Sequence, residues 1–157
     1  MIKKKPANTK SFQYYNANPA DRRASDCVVR AISYAMGISW VDTFDGLCAI
    51  ARRMYGSPTE KDVYSVFLEN KGWVKKPRPA IQKAKTRKYY TGIAFTKLLQ
   101  KNHIDFPMVI HIGSHHLSCI KNGKIYDTWD SSDGCLGNIW VPSEYSDAYD
   151  LFIKSQK

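Results

Sequence analysis

The dipeptide Asn122-Gly123 constrains this chain more than any other feature. It joins HLSCIK to KIYDTWD, two runs of strand length. Asn-Gly between such runs specifies a two-residue type I′ hairpin, because both residues tolerate positive φ and the turn's twist matches that of the strands. Fixing the turn fixes the register. Counting outward, Lys121 faces Lys124, Ile120 faces Ile125, Ser118 faces Asp127 and His116 faces Trp129. Side chains alternate along a strand, so His116, Ser118 and Asp127 share a face and His116 is the diagonal neighbour of Asp127. Diagonal pairs lie within reach of long side chains. A carboxylate there fixes the tautomer and orientation of an imidazole. His115 points to the other face, toward Asp130. A bulge near 115–117 would exchange the two histidines, which keeps His115 as the alternative base.

The hairpin belongs to a chain that changes character midway. Residues 26–36 read as a helix stopped by Gly37. Ser39 opens a second helix, SWVDTFDGLCAIARRMYG, with Val41, Phe44, Leu47, Cys48 and Ala51 at helical spacing. Thr59 reads as the cap of a third, TEKDVYSVFLENKG, ended by Gly72. A short helix, TGIAFTKLLQKN, follows. Then come FPMVIHIG, HLSCIK, KIYDTWD and GNIWVP, strand-length runs divided by turn residues. Helices first and strands later predict an α+β domain, its helices packed on one side of an antiparallel sheet. A chain of 157 residues suits one domain with one core. We assign 13–157 to that domain and 1–12 to a flexible basic tail.

Hydrophobic residues at 43% and charged residues at 24% place the chain among folded proteins rather than disordered ones. No apolar run reaches the roughly 18 residues of a membrane span. The start, MIKKKPANTKS, is basic without an apolar stretch behind it, which predicts a cytoplasmic protein rather than a secreted one. Four cysteines predict reduced thiols, not a disulfide scaffold. The net charge of +10 has a local source. Residues 70–104 contain no acidic side chain, and Lys75, Lys76, Arg78, Lys83, Lys85, Arg87 and Lys88 crowd into 75–88. Such a run is a candidate surface for an acidic or nucleic-acid partner. Pro77 and Pro79 favour the plainer reading of a solvated loop.

Cys27 stands at the start of the first helix. A thiol there feels the positive end of the helix dipole and the unpaired N–H groups of the first turn. Both favour the thiolate, the nucleophilic form. An imidazole delivered by the sheet completes the activation as general base. The other cysteines have simpler readings: Cys48 and Cys119 as packed side chains, Cys135 as a bystander in a Gly-rich loop. His115, His116, Cys119 and Cys135 are zinc-ligand types, but no C-x-x-C pair occurs and alternation separates the histidines, so no metal is assigned. His111, between isoleucines, reads as a packed or groove residue. Arg30, one turn after Cys27, could bind an acidic loop or a substrate carboxylate; its structural use is preferred.

SDCVVRAI followed by HHLSCIKNGKIYDTWDSS resembles the papain-like cysteine peptidase superfamily, in which a helix-borne Cys precedes a sheet-borne His and Asp. YNANPADRRASDCVVRAIS and the DTWD block look like small proteins of phages and mobile elements. The Asp-Cys pair is similar to the start of the bacteriocin-leader-processing peptidases. The resemblance covers roughly 14–37 and 91–141. It implies a papain-like fold, Cys27 as nucleophile, His116 as base and Asp127 as orienting acid. Trp129 would shield the His–Asp pair from water, with Ser118 beside it. No cofactor is implied, and the substrate would be a peptide or protein. Papain-like enzymes place a glutamine six residues before the cysteine, where this chain has Asp21. The oxyanion donor would then be Gln13, Asn16 or Asn18, together with the Cys27 backbone N–H. Three other readings share the resemblance: a cell-wall peptidase, a transglutaminase-like acyl transferase, and an idle papain-like scaffold binding a host protein or nucleic acid. A phage origin would put the protein in the host cytoplasm.

Overall fold

Asn122 and Gly123 both adopt positive φ, 52° and 72°, and close the hairpin in the register that the sequence dictates. Lys121 pairs with Lys124, Ile120 with Ile125 and Cys119 with Tyr126. The computed structural model describes residues 4–81 and 88–157. Its elements in chain order are β1 (Phe12–Tyr14), α1 (Cys27–Met36), α2 (Trp40–Met54), α3 (Lys61–Asn70), β2 (Trp73–Lys76), β3 (Ala80–Ile81), β4 (Lys88–Tyr89), α4 (Gly92–Lys101), β5 (Met108–Ile112), β6 (His116–Lys121), β7 (Lys124–Asp127), β8 (Leu136–Pro142) and, after a 3₁₀ turn, α5 (Ser146–Ser155).

The class is α+β. The main sheet has six strands in the order β1-β7-β6-β5-β8-β2, and β3 and β4 form a separate ribbon. All pairs in the main sheet are antiparallel except β1 with β7. That exception corrects the sequence reading twice. Residue 12 does not end a flexible tail, because Phe12 is wholly buried and opens a strand. The sheet is therefore mixed rather than purely antiparallel.

The helices also do not lie on one side. One core joins Val28, Ile32, Leu47, Val63 and Leu68 of α1–α3 to Val109, Leu117, Cys119 and Trp140 of the sheet. A second core joins Phe95 and Leu99 of α4 and Tyr149 and Phe152 of α5 to Phe12, Met108, Ile110, Ile120 and Ile125. The reason is visible in β5, where Met108, Val109, Ile110 and Ile112 are all buried. A strand apolar on both faces needs a layer over each.

Local signals set the helix ends. Gly37 takes a left-handed φ of 68° and its N–H reaches the carbonyls of Ser33 and Tyr34, closing α1. Ser39 Oγ accepts from the Asp42 N–H at 3.0 Å and opens α2. Thr59 does not cap α3. The segment before the helix forms a turn, with the Glu60 N–H bonded to the Ser57 carbonyl at 3.1 Å, and the helix begins one residue later, with Glu60 at the cap position.

The α2 stripe is also rotated from its expected place. Val41 is 51% exposed and Phe44 39%, whereas Thr43, Leu47, Ile50 and Ala51 are buried and Cys48 is half-buried. This helix packs on α1 and α3 rather than on the sheet. Gly46 lets it approach closely, since a Cβ there would lie 2.5 Å from the Phe67 ring.

The basic segment is only partly a loop. Its first residues form β2 against β8. Lys76 is buried and its ammonium donates to Ser146 Oγ at 2.6 Å and Asp150 Oδ2 at 3.0 Å. Arg78 donates to the Leu136 carbonyl and lies 3.5 Å over the Tyr89 ring. Lys83, Lys85 and Arg87 lie outside the described residues.

Candidate active site

Cys27 is the first residue of α1 and is half-buried. The polar residue before it does not cap the helix through its side chain. Instead the Asp26 carboxylate accepts from the Arg30 guanidinium, from Asn18 Nδ2 at 3.1 Å and from Trp40 Nε1 at 3.0 Å. These bonds fix the entry to α1, so the thiol is presented from a braced helix end.

The sheet supplies the imidazole. His116 begins β6, and its Nε2 lies 2.5 Å from Asp127 Oδ2 at the end of β7. Ser118 Oγ donates to the same carboxylate oxygen at 2.6 Å. The Thr128 N–H at 2.7 Å and Arg30 at 3.3 Å donate to Oδ1. The three residues that the hairpin count puts on one face do meet. With Nε2 engaged by Asp127, the Nδ1 of His116 is the nitrogen left for Cys27, and the two side chains lie close enough to shift each other's proton affinity.

The electrostatics follow from these contacts. Burial pushes the Cys27 thiol up, but hydrogen bonds from His116 and the Leu117 backbone, with the charges of His116 and Arg30, outweigh it and hold the thiol below its ordinary range. Burial opposes the charged form of His116 as well. The bonds and charges of Asp127 and Cys27 prevail and raise its pKa from 6.5 to about 9. Asp127 resists burial in the same way, and His116, Ser118 and the Thr128 N–H keep its carboxyl below the usual range. These directions favour a thiolate beside an imidazolium, with a carboxylate behind the ring.

Trp129 is 49% exposed and its ring centroid is 4.7 Å from that of His116, so it covers the imidazole from the solvent side instead of anchoring a core. His115 is exposed in the turn before β6 and does not meet Asp130, whose carboxylate accepts from the Ser132 N–H. The bulge that would exchange the histidines is not there: β5 and β6 pair without interruption from Met108–Ile120 to Ile112–His116. Cys119 is wholly buried, which pushes its thiol far up, and Cys135 is exposed.

The three amides differ in placement. Gln13 Nε2 makes a long 3.5 Å contact with the Tyr14 carbonyl, and Asn16 Nδ2 donates to the Arg22 carbonyl at 2.9 Å. Only Asn18 bonds the residue adjoining Cys27. One residue near the thiol escaped sequence reasoning. Tyr64, on α3, is buried with its phenol raised first by burial and then by the charge of Cys27. Arg30, read as structural, spans Asp26 and Asp127. The Asp26–Arg30 spacing of four residues was a legible helix pair; the bond to Asp127 was not.

Among the described residues, no group of three or more His, Cys, Asp or Glu side chains is arranged to hold a metal, and no helix is long and apolar enough to cross a membrane. Comparison with protein-family models, curated proteins and solved structures finds no match to this chain.

Proposed function

We propose that this protein is a papain-like cysteine hydrolase that cleaves a peptide or amide bond of a peptide or protein substrate. One observation carries the reading: a helix-tip thiol has its pKa lowered by an imidazole whose Nε2 is held 2.5 Å from a buried carboxylate. Nucleophile, base and orienting acid in this relation are the working parts of nucleophilic acyl chemistry.

In the proposed reaction the Cys27 sulfur attacks the carbonyl carbon while His116 holds the proton. The oxyanion is stabilised by the Cys27 backbone N–H and by a side-chain amide, for which Asn18 is best placed. His116 then protonates the departing amine and a thioester remains on Cys27. Water attacks the thioester, gives its proton to His116 and releases the acid. Asp127 orients the ring throughout. A free nucleophilic thiol works in a reducing compartment, so the proposal sets the protein in a cytoplasm.

The test is site-resolved alkylation. With iodoacetamide at neutral pH, Cys27 should be modified at least about tenfold faster than the exposed Cys135, given a lowered thiol pKa. Cys27→Ala should abolish the fast phase and the cleavage of a proteome-derived peptide mixture. Uniform slow labelling with no cleavage would defeat the hydrolase reading and favour an idle binding scaffold. Products joined to an added amine would redirect it to acyl transfer.

A further inference from the structure

We propose that Arg30 is a positioning residue, tying the nucleophile's helix to the acid and balancing the charge of the site. The inference rests on reading Cys27, His116 and Asp127 as the catalytic set. Arg30 sits one turn after Cys27 on the same helix and is 7% exposed. Its guanidinium is a fork with two occupied arms. One nitrogen binds the Asp26 carboxylate and, at 3.3 Å, the Ala24 carbonyl; the other reaches Asp127 Oδ1 at 3.3 Å. The residue therefore links the entry of α1 to the last residue of β7. Any slide of α1 along the sheet, which would carry Cys27 away from His116, must break that link.

Charge makes the same point. In the reactive state Cys27, Asp26 and Asp127 are negative and His116 and Arg30 are positive, which sums to −1. Without Arg30 the sum is −2 in a partly buried site, and the groups hold protons more tightly. The other charged or titratable groups that bear on the set are Tyr64 on α3, His111 on β5 and Cys119 on β6. None of the three contacts either carboxylate through a described hydrogen bond or ion pair. A plain brace would act on stability alone, whereas this arrangement also acts on proton affinity. Lysine would keep the charge but not the two-armed link, because an ammonium is a point charge and not a fork.

The experiment compares wild type, Arg30→Gln and Arg30→Lys by the pH dependence of Cys27 alkylation and by an NMR titration of His116. In Arg30→Gln the pH at which Cys27 becomes reactive should rise by about one unit, a roughly tenfold loss of rate on the acidic side. The His116 midpoint should move above its wild-type position of about 9. Arg30→Lys should keep the midpoints near wild type and lower the plateau rate severalfold, because charge is retained and alignment is lost. Arg30→Gln leaves two buried carboxylates exposed to each other and is the variant at risk of not folding; the plateau of Arg30→Lys then decides. Variants that melt lower but keep both midpoints and the plateau within twofold would overturn the positioning role alone. Wild-type Cys27 reacting no faster than Cys135 would overturn it together with the catalytic reading.

Discussion

His116 Nε2 and Asp127 Oδ2 are 2.5 Å apart, across a hairpin whose turn is set by two residues. The bond ties the protonation of the imidazole to a carboxylate that is itself held by Ser118, Thr128 and Arg30. It determines which ring nitrogen is left for Cys27, and over what pH range the imidazolium survives.

That range gives the first prediction. Alkylation of Cys27 by a neutral reagent should be fast from the lowered thiol pKa upward. Turnover needs the imidazolium as well, so it should fall as pH rises through about 9, where His116 loses its proton. In Asp127→Asn the main cause of the raised imidazole pKa is gone, and the alkaline limb should move down toward 6.5. A limb unmoved in Asp127→Asn would show that this carboxylate does not tune His116. Hydrolysis over pH 5–10 of a peptide amide cleaved in the proteome-derived mixture, whose amine must leave protonated, is the assay.

The same shifts predict how folding stability depends on pH. His116 has a folded pKa raised from 6.5 to about 9, so its contribution is complete below 6.5 and disappears as pH rises through 9. Asp127 has a depressed folded pKa, so its contribution is present above 3.8 and disappears as pH falls through the folded value. Cys27, lowered from 9.0, works the opposite way, its contribution growing as pH rises toward 9.0, so the His116 effect is read in Cys27→Ala, where melting temperature should decline from 6.5 upward. In Cys27→Ala/His116→Ala that decline should flatten. Parallel curves for the two proteins would rule out His116 as the source.

Phe12 is predicted to be a core residue in energetic terms. It is wholly buried and its strand pairs with β7 next to the candidate site, Tyr14 opposite Asp127. Phe12→Ala should cost about 3–5 kcal/mol, the usual range for deleting a buried aromatic. A urea midpoint unchanged by the substitution would restore the flexible-tail reading of the first twelve residues.

What the sequence made legible was local. Asn122-Gly123 and the alternation around it carry the hairpin, and Gly37 and Ser39 carry the break between α1 and α2, because each signal acts on its own neighbours. The parallel pairing of Phe12 with Ile125 joins distant segments through backbone bonds that no side-chain pattern announces. The rotated face of α2 depends on which helices it meets, and Gly46 shows that contact only once Phe67 stands opposite. In α5 only Tyr149 and Phe152 are buried, too few for a clear apolar stripe. The second helical layer, by contrast, was implicit in MVIHI, whose apolar residues fall on both faces of the strand. At the site, His116 and Asp127 could be paired by counting. Arg30 could not be joined to Asp127 by any count, because α1 and β7 meet only through the fold.

The oxyanion donor allows one further discrimination. Asn18, Asn16 and Gln13 all carry the needed amide, but of the three only Asn18 is bonded to Asp26, the neighbour of the proposed nucleophile. An amide has two N–H groups, and Asn18 gives one to Asp26. The second takes part in no described hydrogen bond and is left to donate to an oxyanion growing on a carbonyl held at Cys27. Such a bond forms only in the transition state, so its loss should lower the acylation rate by roughly 100-fold while leaving Cys27 alkylation nearly unchanged. Asn18→Ala is predicted to show that split, measured as the nitrophenolate burst from an activated nitrophenyl ester against iodoacetamide labelling. Gln13→Ala and Asn16→Ala should stay within a few-fold of wild type in both. An equal fall of burst and labelling in Asn18→Ala would mean that the residue only braces Asp26, and the donor would then be sought in the Tyr64 hydroxyl.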